Sequence, residues 1–207
     1  FPMGQAAQPD KVAGALEKLK NCKAILITHN ETSTAITNDI RAMVSSVRQA
    51  VSPHGGPLFL VDSVSGMGNI DLPVDELGLD VVFTSSQKSW MAPPGIAMVS
   101  VSPKAWEAAK TAQSRRYYFD FAHMKKYHEK HQTPETPAVS TIFALHAALK
   151  LMAQRGIKEI FMYYRDIAAY TREKLVLAGF QLFGDQTHAS NTVSACYLPK
   201  GVDDTAF

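Results

Sequence analysis

The sequence has few cysteines, a small net charge and no long hydrophobic run. Its 207 residues include two cysteines, Cys22 and Cys196, which are too few for a disulfide framework or a cysteine-ligated zinc site. The formal net charge is +2 and the basic residues are scattered, so no nucleic-acid-binding surface is indicated. No apolar run approaches the length needed to cross a bilayer, and no signal peptide is visible. We therefore expect a cytoplasmic chain that binds neither nucleic acid nor membrane.

The composition is otherwise that of an ordinary globular protein. Hydrophobic residues make up 46% of the chain and charged residues 19%, and the length suffices to bury a full core. The chain starts at Phe1 without a strand or a helix cap, and it stops at Phe207 where a helix is about to begin. We therefore expect a fragment that lacks both ends of a longer polypeptide.

Short apolar strands alternate with amphipathic helices over the first half of the chain. The pattern predicts strands at 24–27, 57–61, 80–83 and 96–101, and helices at 10–20, capped by Asp10, and at 37–50. Such strands, interleaved with helices, are typical of an α/β fold with a mostly parallel sheet sandwiched by helices. The strand at 96–101 follows its predecessor without a crossover helix, so it is predicted to pair antiparallel.

The second half is mainly helical. Helices are predicted near 103–112, 121–130, 138–154 and 157–178, followed by strands at 180–183 and 192–197. The last strands resemble the opening of a smaller α+β domain. We therefore expect a partial large domain over 1–154, and a connecting helix with the start of a small C-terminal domain over 155–207.

Polar side chains stand at the ends of three predicted strands. His29, Asp62 and Lys88 all follow apolar runs, and ligands of parallel sheets gather at the carboxyl ends of the strands. Lys88 lies among small hydroxyl residues, before a rigid Pro-Pro-Gly turn. A lysine can form a Schiff base with an aldehyde, and a carboxylate can keep a pyridine nitrogen protonated. These are the two groups that pyridoxal phosphate chemistry requires, and 1–154 is accordingly the expected cofactor-binding part.

Three segments of the sequence resemble the class V pyridoxal-phosphate aminotransferases, in the alanine/serine–glyoxylate (serine–pyruvate) branch. They are Thr-His-Asn-Glu-Thr-Ser-Thr at 28–34, Val-Asp-Ser-Val-Ser at 61–65 and Ser-Ser-Gln-Lys-Ser-Trp-Met-Ala-Pro-Pro-Gly at 85–95. Their order and spacing match the family, as does Thr-Pro-Glu-Thr-Pro at 133–137 before a long helix. The resemblance covers essentially the whole chain and implies the large domain of fold type I, with pyridoxal phosphate as the cofactor.

The resemblance also implies a role for each matching residue. Lys88 would hold the cofactor as a Schiff base and then move a proton, and Asp62 would pair with the pyridinium nitrogen. The other implied contacts are Thr32 to the phenolic oxygen, Val64 to one ring face, Ser85 and Gln87 to the phosphate, and Thr133 or Thr136 to the phosphate of the neighbouring subunit. The last contact implies a homodimer that shares its active sites across the interface.

The reaction implied by the resemblance is transfer of an amino group from alanine or serine to glyoxylate or pyruvate. In the family, the phosphate-cradling loop and the stacking aromatic would precede Phe1, and the arginine that binds the substrate carboxylate would follow Phe207. One alternative is a cysteine desulfurase-like lyase of the same fold. That branch has histidine where this chain has Gln87, and it carries its cysteine on a mobile loop, whereas Cys196 falls in a predicted strand. The other alternative is a non-catalytic, truncated dimerisation module.

Other polar patterns favour structural roles. His29 is predicted to be a structural histidine, because Lys88 already serves as the proton carrier. One of the hydroxyl residues at 32–34 is also expected to cap the helix that follows. His123, His128 and His131 are surrounded by lysines, and no carboxylate or cysteine completes a site, so no metal is predicted there.

Overall fold

The computed structural model describes residues 1–19, 21–51 and 56–202. The elements up to the last strand of the main sheet are α1 (Pro9–Glu17), β1 (Ala24–Thr28), β2 (Asn30–Glu31), β3 (Ile36–Thr37), α2 (Ile40–Ala50), β4 (Leu58–Asp62), α3 (Val74–Leu77), β5 (Val81–Ser85) and β6 (Ala97–Val101). They are followed by α4 (Pro103–Lys110), α5 (Phe121–His128), α6 (Val139–Arg155), α7 (Ile157–Leu177), β7 (Gln181–Leu182), a 3₁₀ turn (Gln186–His188) and β8 (Cys196–Tyr197).

Four strands form the main sheet, in the order β1-β4-β5-β6. The pairs β1–β4 and β4–β5 are parallel and the pair β5–β6 is antiparallel, which confirms the mostly parallel sheet and the antiparallel last strand. The register sets Thr28 opposite Asp62, and Asp62 opposite Phe83. The carboxyl ends of β1, β4 and β5 therefore lie at one edge of the sheet.

The core lies between one face of this sheet and α2. The apolar stripe predicted for this helix is fully buried there, and the cluster comprises Leu16, Ile27, Ile40, Met43, Val44, Val47, Phe59, Val61, Leu77, Leu79 and Val82. Side chains alternate between the two faces of a strand, so Leu26 and Phe83 belong to the other face. Leu26 is 80% exposed and Phe83 is 38% exposed, and Asp62 shares their face.

Two predicted helix caps are wrong. Helix α1 begins at Pro9, before Asp10, so Asp10 does not cap it. The fixed φ of proline suits the first helical position, where a backbone N–H would have no partner within the helix. Residues 32–34 lie in the turn between β2 and β3 and cap no helix. The cap of α2 is Asp39, whose carboxylate accepts from the backbone N–H of Ala42, so the helix starts at Ile40 and not at 37.

The second half contains the four predicted helices and a small strand pair. Gly156 lies between α6 and α7 and has φ +88°. Glycine adopts a positive φ without steric strain, so the first helix can end there. The strand predicted at 192–197 shortens to Cys196–Tyr197, which pair with Gln181–Leu182. At the predicted start of this strand, the backbone N–H of Thr192 donates to Ser190 Oγ and not to a neighbouring strand.

Two further predictions concern the chain as a whole. The division at residue 154 stays a prediction, and residues 203–207 of its second part lie outside the described residues. Every helix of the described ranges is too short or too polar to span a bilayer.

Candidate functional site

Asp62 is the last residue of β4 and its carboxylate is held at one oxygen. Its Oδ1 accepts the backbone N–H of Val64 at 2.9 Å, and its backbone carbonyl accepts the N–H of His29 at 2.7 Å. No described residue donates a hydrogen bond to Oδ2. The side chain is half-buried. The carboxylate is thus oriented by its own turn and keeps one oxygen for a ligand.

A buried pair lies directly behind this carboxylate, on the opposite face of the sheet. Ser63 is fully buried, its N–H donates to Phe83 O at 3.0 Å, and its Oγ lies 2.8 Å from His29 Nδ1. Burial lowers the pKa of His29 to about 4, so the imidazole is neutral at pH 7. A Cβ on Gly66 would lie 2.7 Å from His29 Nδ1, so only glycine fits at this point of the loop. His29 thereby supports the strand end that carries Asp62.

Lys88 lies in a tight turn just beyond β5. Its backbone N–H approaches Ser85 O at 3.4 Å, and its carbonyl accepts the N–H of Met91 at 3.0 Å. The side chains of Lys88 and of the preceding Gln87 are exposed. Since β5 is the parallel neighbour of β4, the lysine turn and Asp62 follow adjacent strands at the same edge of the sheet. The sequence-predicted pair therefore shares one edge.

Ser86 ties together the two ends of the segment that carries the lysine. It is fully buried, and its Oγ donates to Pro93 O at 2.7 Å and accepts from Ile96 N–H at 3.3 Å. Its carbonyl also accepts the N–H of Ala92 at 3.0 Å. Ser86 therefore joins the start of this segment to its end at 92–96. No role was predicted for Ser86; its position between two strand ends in a hydroxyl-rich run was the available signal.

Ser85 carries an unsatisfied hydroxyl. Its Oγ is buried and has no hydrogen-bond partner among the described residues. A buried hydroxyl without a partner costs about 1–3 kcal/mol, and a ligand oxygen would remove that cost. Ser85 lies two residues beyond Phe83, which is opposite Asp62, so both polar side chains belong to the same sheet face. This hydroxyl suits a phosphate or another oxygen-bearing group.

The segments that carry Thr32 and Val64 are neighbours. Asn30 Nδ2 donates to Ser65 Oγ at 2.9 Å, and the same hydroxyl donates back to Asn30 O at 2.8 Å. Val64 is half-buried and directly follows Asp62, whereas Thr32 is exposed at the β2–β3 turn.

Glu31 and Ser33 close that turn on either side of Thr32. The hydroxyl and the amide of Ser33 both donate to the Glu31 carboxylate, and these bonds lower the pKa of Glu31. The turn therefore holds its shape through its own side chains.

Asn30 was missed at the sequence level although it joins distant parts of the chain. It is buried, it donates to Thr192 Oγ1 at 3.0 Å as well as to Ser65, and it accepts from Thr37 Oγ1 at 2.8 Å. A single asparagine in a polar run gives no sign of a partner 162 residues away.

Thr133 and Thr136 lie in the loop between α5 and α6 and are exposed. Thr133 Oγ1 donates to Glu135 O at 2.7 Å, so it stabilises its own turn. Within the described ranges, no hydrogen bond joins either threonine to the residues that follow β4 or β5. The predicted contact of one of them with a neighbouring subunit therefore stays a prediction.

The cysteines and histidines outside this edge have ordinary surroundings. Cys196 lies in β8, as predicted, and Cys22 Sγ lies 3.3 Å from Ala24 O. His123 packs its ring against Tyr127, with the ring centroids 4.9 Å apart. In the part of the chain that the structure describes, no three histidine, cysteine or acidic side chains come together as a metal site would need.

Comparison with known proteins adds independent information. A family model described as "Aminotransferase class-V" matches residues 3–205. The chain is 41% identical over 204 residues to the small subunit of a soluble hydrogenase of Synechococcus, covering 98% of this chain and 52% of that protein. It is 37% identical to a serine–glyoxylate aminotransferase of Arabidopsis thaliana, covering 97% and 50%.

A solved structure agrees with this comparison. An alanine–glyoxylate aminotransferase from Nostoc superposes over 100% of this chain and 54% of that one, with a TM-score of 0.91 at 25% identity. The chain spans about half the length of the curated relatives it matches.

Proposed function

Because the chain belongs to the class V aminotransferase family, we propose that it carries the cofactor centre of an enzyme that transfers the amino group of alanine or serine to glyoxylate or pyruvate. The observation that carries the proposal is the shared edge: Asp62 and the Lys88 turn follow adjacent parallel strands. The activities named for the Arabidopsis and Nostoc relatives support the substrate class.

The cofactor of this family is pyridoxal phosphate, which supplies an aldehyde that condenses with amines and a ring that accepts electrons. The residues at the edge fit such a group. Asp62 has an oxygen to which no described residue donates and which can receive a pyridinium N–H, and the N–H of Val64 keeps the carboxylate oriented. The orphaned hydroxyl of Ser85 would gain a phosphate oxygen as its partner.

Lys88 has the properties that a Schiff-base lysine needs. Its side chain is exposed at the edge while its backbone is held by the turn, so the amine can reach a ligand without the main chain moving. When free, the same amine would act as the base that accepts the proton of the substrate Cα and as the acid that returns it to the cofactor's aldehyde carbon. Within the proposal, Gln87 contacts the phosphate, Val64 contacts one ring face and Thr32 contacts the phenolic oxygen.

The proposal extends to assembly and compartment. We assign the whole protein to a cytoplasmic homodimer in which Thr133 or Thr136 of one subunit reaches the phosphate held by the other. Both threonines are exposed on this chain, which such a contact requires.

The test is to map the lysine that binds the cofactor in the full-length protein. Pyridoxal phosphate is added, the adduct is reduced with borohydride, and the labelled peptide is identified by mass spectrometry. We expect the label on Lys88, and loss of transamination by at least about 1,000-fold in Lys88→Ala. Lys110→Ala, at an exposed lysine that pairs with Glu107, is the matched control and should leave both results unchanged.

The same preparation distinguishes the alternatives. Amino transfer from serine or alanine to glyoxylate supports the proposal, whereas faster release of sulfide from cysteine would favour the desulfurase-like lyase. Label spread over surface lysines, with no transamination, would leave a non-catalytic dimerisation module as the better description.

A further inference from the structure

One side chain in the lysine turn has a partner that the proposed chemistry does not use. Trp90 is half-buried, and its indole Nε1–H donates to Thr84 Oγ1 at 3.0 Å. Thr84 is buried in β5, four residues before Lys88, and Trp90 follows the lysine by two. This hydrogen bond therefore joins residues on either side of Lys88 in the sequence and ties the far end of its turn to the sheet.

The same tryptophan also contacts the segment that follows Asp62. Gly68, at φ +102°, approaches the turn so closely that a Cβ there would lie 3.1 Å from Ser89 Cβ and 3.6 Å from Trp90 Cδ2. Ser89 is buried at this contact. Trp90 therefore contacts both β5 and the loop after Asp62, so it connects the segment that carries Lys88 with the segment that carries Asp62.

The backbone next to Trp90 is strained. Met91 has φ +56°, a left-handed conformation that costs a residue with a side chain about 1–2 kcal/mol. Its side chain is 59% exposed, so its own packing does not offset that cost. Such a conformation persists only where the surroundings hold it. Two hydrogen bonds hold the chain on either side of Met91. Before it, Trp90 donates to Thr84, and after it, the carbonyl of Pro93 accepts from Ser86 Oγ.

We infer that Trp90, through its hydrogen bond to Thr84, is a positioning residue that fixes the Lys88 turn against the loop of Asp62. The inference rests on the proposed function, because it assigns the turn's rigidity to placing the lysine amine. A lysine amine that is displaced by even about 1 Å reacts far more slowly, because it then occupies the reactive geometry for a smaller fraction of the time.

The first experiment needs no cofactor. Trypsin cuts after lysine, so the rate of cleavage at Lys88 in the cofactor-free, full-length protein reports how firmly the turn is held. We expect Trp90→Phe, which removes only the N–H and part of the ring, to raise this rate about 10-fold. Trp106→Phe, at the second tryptophan of this sequence, should leave it unchanged.

A second variant keeps the test valid if Trp90→Phe loses stability. Thr84→Val removes the acceptor in a shape that a buried strand accepts, and it should give the same increase at Lys88. Because both changes break one hydrogen bond, the double variant should be cleaved no faster than either single one. Additive effects, or equal acceleration at every tryptic site, would overturn the inference.

The second experiment uses the cofactor-loaded, full-length protein. We expect Trp90→Phe and Thr84→Val each to lower kcat about 10-fold while KM changes less than about twofold, since substrate binding is left intact. Unchanged kcat together with faster cleavage would refute a positioning role. If Lys88 were not the cofactor lysine, the borohydride label would fail while the cleavage results would stand, so the two proposals fail separately.

Discussion

Ser85 and Ser86 are consecutive residues with opposite relations to the protein around them. Ser86 Oγ donates to Pro93 O and accepts from Ile96 N–H, so its hydroxyl is fully used within the chain. Ser85 Oγ is buried without a partner among the described residues. The first hydroxyl therefore stabilises the fold, and the second is available to a ligand.

Substituting each serine by alanine should separate these roles. Ser86→Ala leaves the carbonyl of Pro93 without its donor, so we expect the free energy of unfolding to fall by about 1–3 kcal/mol. Ser85→Ala removes an unsatisfied hydroxyl, so the cofactor-free protein should be as stable as the wild type or slightly more stable.

Pyridoxal phosphate affinity should respond in the opposite order. Ser85→Ala is expected to weaken binding about 10-fold, the cost of one hydrogen bond to a charged group. Urea unfolding and a cofactor titration of the two variants measure both effects. Equal loss of stability in the two variants would contradict the assignment of the hydroxyls.

At the scale of the elements, the ends of helices and strands decide where the polar groups stand. The apolar stripe predicted for α2 is confirmed, but its start shifts from 37 to 40 because Asp39 caps the helix. Periodicity predicts which face of a helix is buried, whereas a helix end depends on one side-chain hydrogen bond. The β2–β3 pair was missed for a related reason, since two-residue strands carry no periodic signal.

The corrected cap leads to a stability prediction. Asp39→Ala removes the acceptor of the Ala42 N–H at the start of α2, and we expect the free energy of unfolding to fall by about 1 kcal/mol. Asp71→Ala, at an exposed loop position, is the matched control and should change stability by less than about 0.5 kcal/mol. Urea denaturation of both variants measures the difference. An equal effect of the two changes would show that Asp39 does not act as the cap.

At the scale of the whole molecule, the buried imidazole of His29 couples stability to pH. Burial holds the pKa of His29 at about 4 in the folded chain, below its ordinary value of 6.5. Between these values the unfolded chain binds a proton that the folded chain does not. The titration of His29 therefore leaves the free energy of unfolding unchanged above pH 6.5. The free energy of unfolding falls as the pH drops from 6.5 towards 4, by about 3 kcal/mol in all.

His29→Asn tests this dependence. The asparagine amide can still reach Ser63 Oγ but does not titrate, so the variant should be less stable at pH 7 and should lose less stability between pH 6.5 and 4. Urea midpoints over that range measure the slope, with His123→Asn, at an exposed histidine, as the control. A variant with the same slope as the wild type would exclude His29 as the source.

Some residues of the candidate site could be predicted from the sequence, and others were recognised only from their contacts in the structure. Asp62 was predicted from an apolar run that ends in it and Lys88 from its place just after another such run, and neighbouring parallel strands bring their carboxyl ends to one edge. Asn30, Ser86 and Trp90 were missed as supporting residues. Their partners lie across a turn or far along the chain, and of the three only Ser86, in a hydroxyl-rich run between two strands, had a signal in the sequence.

The sequence alone determined the class of sheet, the antiparallel last strand and the edge at which the polar residues meet. It could do so because these follow from the spacing of apolar runs and from the geometry that every strand shares. Only the tertiary structure decided which carboxylate oxygen and which serine hydroxyl lack a partner among the described residues, and which side chains hold the lysine turn. Those outcomes depend on single hydrogen bonds, and the distances between their donors and acceptors are fixed only when the whole chain packs.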